Sequence, residues 1–258
     1  MCASLASCYT TIGKWTYPSG RYPTATCEHG SSAIVAVEPL DDVRSDTNKS
    51  WMTWAYVPLS PLGWTHFDRP EATIPGDDTT RYTANPCDDL ARAIAVELEH
   101  EHIVEHVEFA SDRHHDASCT HVLRGKLRAF YVHESRWAYG LSVYAALLWS
   151  LGAPVGESHN GFRADLELVD ARDGRVLWNG SVFDADDYIE GFYYGPEWYR
   201  FGRLWEMRLR EKMGEIAAAL GATPAPLPEN LSAESRELPP PKVPECLGVD
   251  SSTPCSVK

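Results

Sequence analysis

The chain lacks the basic surface that contact with nucleic acid requires. Its 258 residues hold 23 Lys and Arg against 37 Asp and Glu, which gives a formal net charge of −14. A phosphate-binding surface needs clustered Lys and Arg to displace counterions, and the sequence contains no basic run of that kind. The composition therefore argues against nucleic acid as a partner.

Several signatures of catalysis are also missing. The chain has no Gly-rich phosphate loop and no Gly-x-Ser-x-Gly setting for a nucleophilic serine. Its seven cysteines form no Cys-x-x-Cys pair, which suits an exported protein better than a zinc protein. We therefore expect a protein that is not an enzyme and that holds no metal ion or other cofactor.

Two amphipathic helices are predicted. Asn85 and Pro86 form a helix start, because Asn caps a helix well and Pro fits its first turn. Apolar residues then recur on one face. The second helix begins near Pro196, carries apolar residues at three- and four-residue spacing, and ends near Leu220.

Shorter patterns predict the strands. Residues 33–37 are a β-branched run, and residues 103–109 alternate between apolar and polar side chains. Asp173-Gly174, between two apolar runs, is a strong hairpin signal. A strand, a helix and a second strand in that order predict a right-handed parallel crossover.

Together these elements predict one α/β (α+β) domain over residues 31–220. We expect a mixed sheet of about five strands with two main helices packed on it. A signal remnant and extended N-terminal tether, residues 1–30, precede the domain, and a Pro-rich tail, residues 221–258, follows it.

The N-terminal segment contains a candidate lipidation site at Cys8. Residues 5–8, Leu-Ala-Ser-Cys, resemble the lipobox that bacterial lipoprotein signal peptidase reads. Cys8 would then carry the lipid anchor, including a fatty acid such as palmitate, and would begin the mature chain. An export signal is longer than the seven residues that precede Cys8. Either the true start lies upstream or the motif is accidental.

Two disulfides are predicted for an exported chain. A helix rising from Cys87 and a strand descending to Phe109 cover similar distances, so the chain returns to one end of the domain. Cys119 should then lie near Cys87 and pair with it. Cys246 and Cys255 enclose a short loop in the Pro-rich tail, where a disulfide would be the available covalent cross-link.

Five segments occur together in an order found in one kind of bacterial protein. They are residues 41–44 (Asp-Asp-Val-Arg), the helix from Pro86, the strand 103–109, residues 121–127 (His-Val-Leu-Arg-Gly-Lys-Leu) and residues 166–178. In this order they resemble bacterial envelope lipoproteins with an α/β domain, such as the penicillin-binding-protein activators and the curli-secretion lipoproteins. Thr120-His121 departs from the acidic and aromatic residues usual there. The resemblance implies a non-enzymatic scaffold or assembly factor, lipid-anchored in the outer membrane and facing the periplasm.

The apolar insertion 139–156 is the candidate partner-binding element. It is too short, and too interrupted by glycine and proline, to span a membrane. A connection between two strands crosses the protein surface, so the segment can contact a protein partner in the envelope or a second copy of the chain. The candidate contact residues are Tyr144, Leu147, Leu148, Trp149 and Leu151. Alternatively, the insertion folds onto the core.

One motif favours an enzyme instead. His102, Glu105 and His106 match the inverted zinc-protease pattern, in which a helix brings both histidines to one metal ion and the glutamate polarises its water. In a strand, residues four apart are about 13 Å apart and cannot share an ion. A zinc-dependent hydrolase is therefore the alternative function, and it depends on a helix at this position.

Overall fold

The computed structural model describes residues 10–12, 30–71, 80–82, 85–194 and 200–222. Cys8, Cys246 and Cys255 lie outside these residues. The described residues form ten strands, namely β1 (Thr10–Ile12), β2 (Ser31–Val37), β3 (Asp41–Asp42), β4 (Asn48–Ser50), β5 (Leu62–Phe67), β6 (Thr80–Tyr82), β7 (Val104–Phe109), β8 (His121–Trp137), β9 (Gly156–Asp170) and β10 (Val176–Glu190). They also form three α-helices, namely α1 (Pro86–His100), α2 (Ala145–Ser150) and α3 (Arg200–Ala219). No helix in the described part of the chain is both long enough and apolar enough to cross a membrane.

The main sheet is mixed, as predicted. Five strands pair in the order β10-β9-β8-β2-β7. β2 is parallel to β7 and β8, while β8, β9 and β10 are antiparallel. The sheet has eight strands rather than about five, because the short strands β3 and β5 pair along β8 beyond β2, and β4 pairs with β5. β1 and β6 form a separate two-stranded sheet.

Helices α1 and α3 contribute to one core against the sheet. α1 begins at Pro86 with Asn85 as its capping residue, as predicted, and it leads into β7, which lies parallel to β2. α3 brings a fully buried apolar stripe to the same core, namely Trp205, Leu209, Met213 and Ile216. In the part of the chain that the structure describes, no helix of this core lies on the opposite sheet face, here called the open face.

The predicted disulfide between Cys87 and Cys119 is wrong. Both thiols are free, and Cys87 lies at the start of α1, where its carbonyl accepts a 3.2 Å hydrogen bond from Leu40 N–H. Cys119 packs with Ala36 and Val122 in a cluster separate from the helix-covered core. The physical reason is that β8 starts parallel to β2, so the loop after β7 carries the chain back along the sheet before Cys119.

Candidate functional site

Three loops meet at the end of the sheet where β8 stops. Trp137, the last residue of β8, is opposite Leu62, the first residue of β5. Gly156, at the start of β9, is opposite both Arg136 and Glu190. The segments 51–62, 138–155 and 189–194 therefore lie together, and we call them the distal end.

Hydrogen bonds join the three segments. The N–H of Leu59 donates to the carbonyl of Gly140 across 3.1 Å, which ties the first segment to the second. The hydroxyl of Tyr193 donates to the carbonyl of Ser150 across 2.7 Å, which ties the third segment to the second. The distal end is thus one surface built from distant parts of the sequence.

Trp149 is the internal anchor of this surface. Its ring packs against three buried alanines, Ala55, Ala138 and Ala145. Its indole N–H donates to the carbonyl of Trp137 across 3.0 Å, and its ring meets that of Phe192 edge-on, with 6.0 Å between centroids. Trp149 is thus half-buried against this small cluster, which is separate from the helix-covered core, and Leu148 is also half-buried.

The other three candidate contact residues are exposed. Tyr144, Leu147 and Leu151 have exposed fractions of 69%, 64% and 84%. Exposed side chains from the other segments extend the surface, namely Trp51, Trp54, Tyr56, Val57, Leu59, Leu62, Ile189, Phe192, Tyr193 and Tyr194. The first and third segments were not predicted as contact residues, although the irregular Trp-rich stretch after residue 50 is typical of a functional loop.

Strained backbone is concentrated in the same place. Of the five non-glycine residues with left-handed φ among the described residues, three belong to the distal end: Leu59 at 69°, Tyr139 at 54° and Ser142 at 55°. A non-glycine residue in this conformation costs on the order of 1 kcal/mol or more, and such residues cluster at functional sites. The loops of the distal end are therefore held in costly conformations by their contacts.

The structure does not assemble the predicted zinc motif. His102 lies in the turn between α1 and β7, while Glu105 and His106 are neighbours in β7. Adjacent residues of a strand point to opposite faces, so Glu105 and His106 cannot act on one ion. The helix on which the hydrolase alternative depends is absent at this position.

A polar row lies beside the distal end on the helix-covered face. It crosses four strands through directly opposed residues, namely Thr65, Glu134, Ser158 and Tyr188. Burial first, and then the charge of Glu190, raise the pKa of the Glu134 carboxyl to about 7, against a smaller lowering by Arg136. Glu134 therefore titrates near neutral pH.

We expect Glu134→Gln to reduce the pH dependence of stability. Because the folded-state pKa of Glu134 is above its unfolded value, this group destabilises the fold progressively as pH rises from about 4.5 through about 7. The glutamine variant should gain about 2 kcal/mol relative to the wild type between about pH 5 and pH 8. The lowered pKa values of His66 and His133, caused mainly by burial, act in the opposite direction and are common to both proteins. Urea unfolding of both proteins at about pH 5 and about pH 8 measures this gain. An equal change in the free energy of unfolding between these pH values in the two proteins would contradict the prediction.

No protein family matches the chain, and no curated protein matches it. Solved structures that are similar in part include protein XCC0632 from Xanthomonas campestris, of the DUF330 family, at 10% identity and a TM-score of 0.37, over 76% of this chain and 91% of that chain. Lipoprotein GNA1162 from Neisseria meningitidis is similar at 16% identity and a TM-score of 0.26, over 72% of this chain and 99% of that chain. Neither similarity assigns the chain to the penicillin-binding-protein activators or the curli-secretion lipoproteins.

Proposed function

We propose that this chain is a non-enzymatic binding or assembly component of a bacterial envelope, and that its distal end contacts a protein partner. The observation that carries the proposal is one surface, rich in exposed apolar side chains, that three hydrogen-bonded loops form together. Soluble monomers rarely expose contiguous apolar patches of this kind unless the patch binds something. Tyr, Trp and Phe, which are frequent here, are also the residues enriched at protein interfaces.

Net charge favours a protein over a lipid surface as the occupant. Anionic lipid headgroups attract basic segments, whereas this chain carries a formal charge of −14. The three loops are joined by hydrogen bonds and by the contacts of Trp149, which limits the backbone entropy lost on binding. A preformed apolar surface with a half-buried aromatic anchor suits a protein partner.

The lipid anchor is part of the proposal and has its own prediction. A precursor with a complete export signal should label with fatty acid, and Cys8→Ser should remove the label, because the Cys8 thiol is the acceptor of the lipid. Metabolic labelling followed by mass spectrometry of the mature N-terminus measures this. Cys119→Ser is the matched control and should keep the label. An unmodified Cys8 at the mature N-terminus would contradict the anchor.

Site-specific photo-cross-linking tests the binding surface in the native envelope. A photoreactive residue at position 147 or 151 should form adducts with one protein, because both side chains are largely exposed in the distal end. The same residue at Lys126 or Arg163, which are exposed on the open face, is the control and should not. Adducts only at the control positions would move the contact to the open face and reject the proposal.

A further inference from the structure

We infer that a row of histidines on the open face binds a transition-metal dication. His66 of β5 is directly opposite His133 of β8, and His133 is directly opposite His159 of β9. Directly opposed residues of antiparallel strands share a face, and their Cβ atoms are about 4.5–5.5 Å apart. Strand pairing therefore brings together three imidazoles that are far apart in the sequence.

The row is accessible from solvent. On β10 the Asp184 carboxylate pairs with Arg208 of α3, so Asp184 faces the helices. Residues an odd number of positions away on the same strand face the other side of the sheet. Asp187, opposite His159, lies on the other face. The side chains of His133 and His159 are 30% and 44% exposed. An ion can thus reach the row without any opening of the fold.

The histidine rings are already close to one another and to carboxylates. The rings of His66 and His133 stack with 4.4 Å between centroids. Nδ1 of His159 is 2.7 Å from an Asp187 carboxylate oxygen, and Nε2 of His133 is 3.4 Å from one of Asp68. A carboxylate that holds one ring nitrogen fixes the tautomer and leaves the second nitrogen as a metal ligand, which is the usual arrangement around metal-binding histidine.

The charges along the row favour one end. Lys49 of β4 is directly opposite His66, so that end carries a positive charge. At the other end, Asp187 contacts His159, and a Glu157 carboxylate oxygen lies 3.7 Å from its Nε2. A cation is therefore attracted to the His133 and His159 end and repelled from Lys49.

Binding requires the imidazoles to turn. Among the described residues, no three His, Cys, Asp or Glu side chains already form a group that could hold a metal ion. Half-exposed side chains exchange between staggered rotamers rapidly, and His133 and His159 have solvent on one side. Imidazole with carboxylate is a donor set that suits Zn²⁺, Ni²⁺ and Cu²⁺, whereas Mg²⁺ prefers oxygen ligands alone. The proposed ligand is thus an imidazole-binding dication such as Zn²⁺.

Equilibrium dialysis of the purified mature protein against Zn²⁺, with Mg²⁺ in parallel, tests this site. The wild type should bind one more Zn²⁺ per chain than His159→Ala and His133→Ala do, and no Mg²⁺ at the row. His106→Ala, at an exposed position on β7, is the matched control and should bind as the wild type does. Comparing stoichiometries removes any contribution from thiols or other histidines.

Two further variants test the arrangement itself. Asp187→Asn should weaken Zn²⁺ binding roughly 10-fold to 100-fold, which is the usual effect of losing an outer-shell carboxylate. Lys49→Gln should strengthen it. Circular dichroism of each variant tests whether it is folded. If His133→Ala unfolds, His159→Ala carries the test, because His159 is the more exposed of the two proposed ligands. Equal Zn²⁺ stoichiometry in the wild type and in His159→Ala would overturn the inference.

Discussion

Replacing Tyr144, Leu147 and Leu151 together by serine is expected to abolish capture of the partner from envelope extracts while leaving the fold intact. All three side chains are more than 60% exposed, so folding buries little of their apolar area. Surface substitutions of this kind usually change stability by no more than about 0.5 kcal/mol each. At an interface, by contrast, central apolar anchors cost about 2 kcal/mol or more each when truncated, which together exceeds a thousandfold loss of affinity.

Quantitative co-purification from cells that express each variant at the wild-type level measures this effect, and thermal unfolding measures the stability. The matched control is Val176→Ser with Phe183→Ser, because both side chains are exposed on β10 outside the distal end. The control should capture the partner as the wild type does. Undiminished capture by the triple variant would show that the distal end is not the contact surface.

Trp205→Ala should destabilise the protein by about 3–5 kcal/mol. Trp205 of α3 is fully buried, and its ring meets that of Phe162 of β9 edge-on, with 5.2 Å between centroids. Truncation would leave a cavity between helix and sheet and would remove this ring contact. Urea unfolding at neutral pH measures the loss, and Phe183→Ala, which removes an aromatic ring that is 56% exposed, is the control and should cost far less.

A second substitution at the same position separates packing from hydrogen bonding. Among the described residues, no acceptor is found for the buried indole N–H of Trp205. Trp205→Phe keeps most of the ring volume and removes an unsatisfied polar group, so it should cost much less than Trp205→Ala. If both substitutions cost less than about 1 kcal/mol, α3 does not form the core described above.

Local patterns in the sequence predicted most of the fold. The start of α1 at Asn85 and Pro86 is confirmed, because the first-turn preference of proline acts locally, although the Asn85 side chain donates to Asp88 and makes no capping hydrogen bond. The hairpin at Asp173-Gly174 is confirmed between β9 and β10, and Gly174 has the left-handed φ of 69° that such a turn uses. The alternation in residues 103–109 correctly predicted a strand, which also removes the basis of the zinc motif.

Features that depend on strand pairing could not be predicted in this way. The Cys87 and Cys119 pairing failed because the direction in which the chain returns to the sheet after β7 is set by the parallel start of β8. Leu59 and Tyr193 join the distal end only because the ends of β5, β8 and β10 coincide. The register in which two strands far apart in the sequence pair produces no pattern of spacing within either strand's own sequence.

A contact with a distant part of the chain also decides which residues of the apolar insertion are exposed and which are half-buried. From the sequence, Leu148 and Trp149 were as good contact candidates as Tyr144, Leu147 and Leu151. The pocket of small residues that receives Trp149 includes Ala55, which comes from a segment more than 80 positions earlier. Which side of the short helix α2 faces the protein was therefore decided by a tertiary contact, not by the pattern of the helix itself.

Side-chain footprinting tests the central claim most directly, because it reads the solvent exposure of named residues with and without the native envelope. Hydroxyl-radical labelling of the purified protein should modify Tyr144, Leu147 and Tyr193 readily, since all three are largely exposed. In intact envelopes the account predicts that labelling of these three falls sharply, while labelling of the exposed Val176 and Phe183 is unchanged. Equal labelling of Tyr144, Leu147 and Tyr193 in both samples would contradict the account.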